Sequence, residues 1–246
     1  MALIRPSINL STRTMSVSSP SSPARLEIPF DIDISTFLSN GSIIVRENAR
    51  LCADKIRSLV FTSRRIQDFF SAILGVECSL AMYHPDISDT MRFFKPHLSG
   101  TKTSIVDACA TKREIWLSNE SPFLLISQSS VDALSLATAA KKPIPSAVFR
   151  ANFVVCGSPP YLEDTFRRLR IGTAGFDVLG QCRRCHMVCV DPEKGIKEKE
   201  GGEVYLSLGK TRRKDTGGVV FGIHMGLNVK EGYVQIGDSL SIEETQ

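Results

Sequence analysis

Short apolar runs, broken every few positions by Gly, Asn and Pro, set the pattern of this chain. Over residues 26–40 apolar side chains recur loosely at every second position (Leu26, Ile28, Phe30, Ile32, Ile34), the period of a half-buried strand. Asn40-Gly41 predicts a turn and residues 42–45 a returning strand. Residues 63–75 break the period of two. There Ile66, Phe69, Phe70, Ile73 and Leu74 share one helical face, Ser63 can cap the start and Gly75 stops the helix. Residues 76–82 and 114–117 read as strands, 119–122 as a turn and 123–127 as a strongly apolar strand. A helix is expected from residue 129 to about residue 140, ended by the Lys/Pro-containing stretch 141–145.

The second half is richer in strands. Residues 146–156 read as a strand with Arg150 and Asn152 on one face and Phe149, Ala151 and Phe153 on the other. Two polar side chains on an otherwise apolar strand need a partner, because burying them unpaired is unfavourable; solvent and an anionic or amide-rich ligand both qualify. Residues 161–169 read as a short helix whose Glu163, Asp164, Arg167 and Arg168 face water. Residues 174–180 lead into a cysteine-rich stretch, 185–190, 219–227 and 233–242 read as strands, and 203–214 as a helix with a solvated face. Many short strands with few helices predict a mainly β, α+β protein with a barrel-like core.

Composition narrows the function classes. Of 246 residues, 42% are apolar and 23% charged, ordinary globular values. No apolar run approaches the roughly 20 residues of a membrane-spanning helix. The net charge of +4 is spread among acidic residues and aromatics make up 7%, which argues against a nucleic-acid platform. Residues 1–26 hold Arg5, Arg13 and Arg25 but no Asp or Glu. Transit peptides and disordered Ser/Pro linkers share that composition, and the prolines favour disorder. The expected organisation is therefore a disordered segment 1–28, a partial N-terminal subdomain 29–79 and a main domain 80–243. The seven cysteines are odd in number, and Cys52, Cys78, Cys109 and Cys156 are scattered, which fits a reducing compartment. A cytoplasmic location follows, with a mitochondrial one as the alternative raised by the basic, acid-free N-terminus.

Candidate chemistry gathers in residues 180–191, Gly-Gln-Cys-Arg-Arg-Cys-His-Met-Val-Cys-Val-Asp. A cysteine ligates or attacks as thiolate, and neighbouring Arg charge lowers its pKa. Three chemistries compete there. Cys182-Arg183-Arg184-Cys185-His186 has the pattern of covalent haem attachment. The same pair is half a zinc site, which would have to recruit Cys189 or His224. One thiolate can instead bind a soft metal or carry sulfur as a persulfide. His224 reads first as a satisfied sheet histidine and second as a ligand; His84 and His97 stand beside Pro85 and Pro96 in loops. No phosphate-binding glycine loop and no serine nucleophile elbow occurs.

Five separated blocks carry a resemblance: residues 118–127 (SNESPFLLIS), 149–155 (FRANFVV), 161–164 (YLED), 180–192 (GQCRRCHMVCVDP) and 221–224 (FGIH). In order and spacing they resemble the MOSC domain family over about residues 76–242. The resemblance is strongest to the C-terminal part of the eukaryotic molybdenum cofactor sulfurase branch and more distant to the mitochondrial amidoxime-reducing branch. It implies a β-barrel that binds molybdenum-molybdopterin and receives or holds its terminal sulfur. Cys185 matches the cysteine that ligates molybdenum in the amidoxime-reducing branch; here it would be metal ligand or persulfide carrier, with Cys182 as a resolving thiol. Arg150, Asn152, Ser121 and Arg183 would hold the cofactor. The sulfurase branch carries a pyridoxal-phosphate desulfurase half upstream for which this chain has no room, so pyridoxal phosphate is not expected on it. A cysteine desulfurase in trans would supply sulfur, and molybdenum hydroxylases would receive the cofactor. The family's opening Tyr-Pro-Ile-Lys-Ser-Cys-like block and its Asp-Arg-x-Trp block are absent, so the chain resembles a truncated form. A non-catalytic cofactor carrier and a molybdenum-dependent reductase are the alternative functions.

Overall fold

The computed structural model describes residues 1–51, 54–85, 87, 92–93, 114–138, 143–197, 202–214 and 218–245, with backbone alone at 202–203. Cys52, Cys109, His97 and the expected end of the helix at 139–140 lie outside these residues. Two compact units divide the chain: Met1–Met91 with Pro192–Gly195, and Arg92–Asp191 with Ile196–Gln246.

In the first unit β1 (Arg5–Asn9), β2 (Thr14–Ser19) and β3 (Ser22–Pro29) form one antiparallel sheet. After α1 (Ile34–Ser39) come β4 (Ile43–Leu51) and β5 (Asp54–Phe61); α2 (Arg64–Leu74) then connects to β6 (Ala81–Met82), and β4-β5-β6 form a second sheet. Segment 1–28, expected to be disordered, is thus folded. Val17, Leu26 and Ile28 supply the few apolar anchors, and they share a core with Ile43, Leu59, Phe61 and the Ile66, Phe69 and Phe70 face of α2. A composition average over many Ser and Pro residues hides three such anchors. The expected strand over 26–40 stops at Pro29, because Asp33 accepts from the Ser35 amide and the Ser35 and Thr36 hydroxyls and so caps α1. The same three donors hold the Asp33 carboxyl at about pKa 2. The helix over 63–75 forms with Gly75 at φ 69 ending it, but the Ser63 side chain makes no capping hydrogen bond, and only two residues of the expected strand 76–82 pair.

The second unit is built on one sheet. Its elements are β7 (Phe123–Ser127), α3 (Gln128–Ala137), β8 (Phe153–Val155), β9 (Phe166–Ile171), β10 (Ala174–Arg183), α4 (Gly202–Thr211), β11 (Val220–Leu227) and β12 (Leu240–Thr245). The strand order is β12-β9-β10-β11-β7-β8, antiparallel except for the β7–β8 pair, and the sheet curls as a half-barrel. At β11 and the end of β7 both faces are buried. Leu125, Phe176 and Ile223 belong to one apolar cluster, while Ile126 and Phe221 join Val131 and Leu134 of α3 and Leu208 of α4 in another. That is why β7 and β11 read as continuous apolar runs rather than alternating ones. The protein is mainly β, α+β, as its pattern predicts. Among the described residues no helix is long and apolar enough to cross a membrane.

Several local expectations are corrected. Residues 146–156 are not one strand: Ser146–Phe149 form a 3₁₀ turn, Arg150 takes a left-handed φ of 55, and only Phe153–Val155 pair. Residues 161–169 are a 3₁₀ turn (Leu162–Thr165) leading into β9, where Arg168 pairs across the ladder with Asp177. Glu163 does not face water; it is buried and accepts from the Ser130 hydroxyl at 2.9 Å, and burial raises its pKa against the pull of that bond. Residues 185–190 are a 3₁₀ turn (His186–Cys189) instead of a strand, because Val188 and Cys189 turn inward to the α3/α4 cluster. Residues 114–117 keep a single bridge, Glu114 to Phe93.

Gly222 lies at φ 75, and a Cβ there would meet the Leu125 carbonyl oxygen at 2.6 Å. Gly222→Ala combines left-handed strain with a backbone clash between β11 and β7. It is expected to lower unfolding stability by about 1–3 kcal/mol or more, read from urea denaturation midpoints.

Candidate functional site

Two irregularities in the β10–β11 ladder shape the site. Between the pairs Val178↔Met225 and Gly180↔His224, β10 carries an extra residue, and Gly180 takes φ 139. Between Gln181↔Ile223 and Arg183↔Val220 the extra residue is on β11, where Gly222 sits at φ 75. Such bulges re-aim side chains. Cys182 is two residues on from Gly180, the partner of His224, so Cys182 and His224 leave the same face of the sheet.

Glu120 and Ser121 arrive from the stretch before β7. Buried Arg92 holds that stretch: Nη1 donates to the carbonyls of Trp116 (3.0 Å) and Ser118 (2.5 Å), and Nη2 to that of Asn119 (3.1 Å). Ser121 Oγ then lies 2.6 Å from His224 Nδ1, and Glu120 Oε2 lies 2.9 Å from His224 Nε2. Ser121 has one proton and donates it to the Phe123 carbonyl at 2.8 Å, so Nδ1 carries a hydrogen and donates to Ser121. Glu120, Cys182 and His224 each offer a ligand atom within 4.8 Å of the others.

Electrostatics make this a charged cluster inside the protein. Burial alone would lower the His224 pKa, but the Cys182 sulfur and the Glu120 carboxylate outweigh it and push it up to about 9. Burial would raise the Cys182 thiol, but the His224 hydrogen bond and the charges of His224 and Arg184 bring it below its ordinary value. Arg184 Nη1 donates to Cys182 Sγ at 3.1 Å and Nη2 to the Phe149 carbonyl at 2.7 Å, with the guanidinium over the Phe149 ring. Phe149 in turn stacks on Phe221. Arg184 therefore ties the cysteine stretch to the turn that carries Arg150. A thiolate–imidazolium pair is the chemistry of an activated sulfur or of a soft-metal ligand.

The sequence-predicted residues are only partly brought together. Cys182 and Ser121 join through His224. Cys185 begins the 3₁₀ turn after β10 and is exposed, as are Arg150 and Arg183. Asn152 is exposed too, and pairs with the edge of β7: its Oδ1 accepts from the Leu124 amide at 2.9 Å and its amide donates to the Leu124 carbonyl. His186, read first as part of a haem motif, stacks on Tyr205 at 4.3 Å. Sequence reasoning missed Glu120 and Arg92; it had the motif's arginines beside the thiols and kept His224 as a ligand only after a satisfied sheet histidine. Glu120 and His224 did stand inside two of the quoted blocks, but nothing local joins residues 104 apart.

The cysteine stretch and its partners fall within known sequence relationships. A family profile described as MOSC domain matches residues 112–241, just over half of the chain. Molybdenum cofactor sulfurases are similar along nearly its whole length. The Pyricularia oryzae protein is 34% identical over 92% of this chain, and the Aspergillus niger protein is 36% identical over 97%. That of Neurospora crassa is 30% identical over 94%. The alignments cover 31%, 34% and 37% of those proteins respectively, so the chain spans about a third of the curated relatives it matches.

The pair has a defined pH window. A raised His224 pKa contributes stability that is full below 6.5 and is lost as pH rises through about 9. The lowered Cys182 pKa contributes stability present above the ordinary thiol value of 9.0 and lost as pH falls through the folded value. Followed by ultraviolet thiolate absorbance as pH is raised, a thiol should ionise below the ordinary value of 9.0, and that transition should disappear in Cys182→Ala. It should shift upward in His224→Gln, where burial is no longer opposed by the ring.

Proposed function

Because the chain belongs to the MOSC domain family, we propose that its second unit binds the molybdenum-molybdopterin cofactor and serves in delivering that cofactor's terminal sulfur. One observation carries the reading: the two cysteines of Cys-Arg-Arg-Cys occupy opposite environments, Cys182 buried in a charged cluster and Cys185 exposed three residues away. An exposed thiol beside Arg183 can accept sulfur from a partner and pass it on; a buried one cannot meet a partner enzyme. Cys185 is then the persulfide carrier or the molybdenum ligand, and Cys182, whose pKa His224 and Arg184 draw down against burial, is the thiol poised behind it. When bound, the cofactor would supply the molybdenum centre that takes up the sulfur as sulfide. The two electrons come from Cys182 as it attacks the Cys185 sulfur of the persulfide and closes a disulfide.

The residues present fit such a group. Arg184 Nε is buried with no hydrogen-bond partner among the described residues, a donor that an anionic or carbonyl-bearing ligand would satisfy. Arg150 and Arg183 offer exposed cations for a pterin phosphate. Asn152 keeps its amide NH₂ group for a pterin edge, because only its oxygen and backbone are spent on Leu124. Ser121 has one lone pair left after serving Phe123 and His224. The relatives' shared name motivates the sulfur-transfer step, with a cysteine desulfurase as donor and molybdenum hydroxylases as recipients. Persulfide chemistry needs reduced thiols, consistent with a cytoplasmic location.

The chain purified from a host that makes the cofactor should contain molybdenum by mass spectrometry and pterin by fluorescence, together with cyanide-releasable sulfur. Cys185→Ala should lose the releasable sulfur or the molybdenum at least tenfold while Cys156→Ala keeps both. A wild-type chain without molybdenum and pterin contradicts the reading, as does a Cys185→Ala chain that retains sulfur and metal alike.

A further inference from the structure

The Glu120, Cys182 and His224 cluster has a property that sulfur delivery does not use. It brings one carboxylate oxygen, one sulfur and one ring nitrogen from three separate strands or strand approaches within 4.8 Å of one another. Two of the three residues are buried, Cys182 and His224 at 6% exposure each. Two acidic ligands beside one imidazole in a low-dielectric setting need a positive charge among them. A proton on His224 Nε2 is one solution; a metal cation shared by all three is the other.

We propose that Glu120, Cys182 and His224 form a three-ligand binding site for a divalent cation of the zinc class. The donor set suits it: imidazole and thiolate favour zinc and its neighbours over magnesium or calcium, and carboxylate is a regular third zinc ligand. The two ligand charges balance the dication, and the Arg184 charge stays beside the sulfur. The outer contacts are those a ligating histidine needs. Nδ1–H donates to Ser121 Oγ, which is itself anchored on the Phe123 carbonyl, and this leaves Nε2 free to ligate and fixes the ring plane. Arg184 donates to the sulfur and keeps it a thiolate.

The geometry must adjust, because donors spread over as much as 4.8 Å have to close in around the ion. Tetrahedral zinc with bonds of about 2.0–2.3 Å sets its donors roughly 3.3–3.7 Å apart, so the 2.9 Å Nε2–Oε2 separation must widen by a few tenths of an ångström. Glu120, with its side chain 32% exposed, is free to make that shift and opens the way in from solvent. Three protein ligands leave a fourth position for water or an incoming donor, the pattern of a reactive rather than a purely structural site. Cys185 takes no part in this site, but Cys182, the thiol set behind it in the molybdenum reading, is shared. An ion held here would withdraw Cys182 from sulfur chemistry and leave Cys185 as the open thiol of the motif.

Cobalt(II) titration of the full chain, stripped of metal with a chelator, tests the site. The near-ultraviolet sulfur-to-cobalt band should saturate at one ion per chain in wild type and in Cys185→Ser, and zinc should displace it. Cys182→Ser should abolish the band, and Glu120→Gln should weaken cobalt binding about tenfold or more. No band in wild type, a band that survives Cys182→Ser, or one lost in Cys185→Ser overturns the proposal. Where Cys182→Ser loses its fold by circular dichroism, Glu120→Gln decides, and unchanged affinity in that variant overturns the site. Molybdenum content of the same preparations reads out the other site separately.

Discussion

A single imidazole organises the second unit's chemistry. His224 sits on β11, the strand buried on both faces, and holds Ser121 through one nitrogen and Glu120 through the other, beside the sulfur of Cys182. A protonated ring inside a protein is unfavourable unless anions surround it, and two do. The rest of the local structure serves that arrangement. Arg92 fixes the approach to β7 from which Glu120 and Ser121 project, and the two bulges with Gly180 and Gly222 set where β10 presents Cys182. Arg184 closes the far side by joining the sulfur to the Phe149 carbonyl. Removing the ring would leave a buried sulfur and a half-buried carboxylate without their common counter-charge.

The same arrangement separates two cysteines that are three positions apart. β10 ends at Arg183, and the backbone leaves the sheet before Cys185, which therefore escapes the cluster and reaches the surface. Val188 and Cys189 then turn back into the α3/α4 core. Sulfur handling by an exposed thiol and metal holding by a buried one can thus coexist in one short motif. The charges of the motif are divided in the same way: Arg184 turns inward onto sulfur and the Phe149 ring, while Arg183 faces solvent. An anionic cofactor would meet the outward set, and an ion the inward one.

Much of this was legible from residue pattern where the determinant is local. The helix of α2 follows from five apolar positions between Ser63 and Gly75, and β7 and β11 from uninterrupted apolar runs. The family resemblance located the cysteine stretch and its companion blocks. Illegible were the features set by distant partners. Three strands within residues 1–29 are stabilised by Val17, Leu26 and Ile28 against a core supplied by residues 43–70, which local composition does not register. Glu163 looked solvated because its partner, Ser130, is 33 residues earlier. The polar pair Arg150 and Asn152 looked like one face of a strand, but the left-handed residue between the 3₁₀ turn and β8 breaks the alternation. The partners of His224 are hidden for the same reason, since Glu120 and Ser121 reach it only through the fold.

The protonation state of His224 in the metal-free chain is the most direct measure of this account. Nitrogen-15 NMR of histidine-labelled protein, assigned through His224→Gln, reports whether each ring nitrogen carries a proton as pH is raised. A ring protonated on both nitrogens between 6.5 and about 9, losing one proton only near the upper value, is the expected result. A His224 that titrates at or below 6.5 would show that the Glu120 and Cys182 charges do not converge on it, and would contradict the site described.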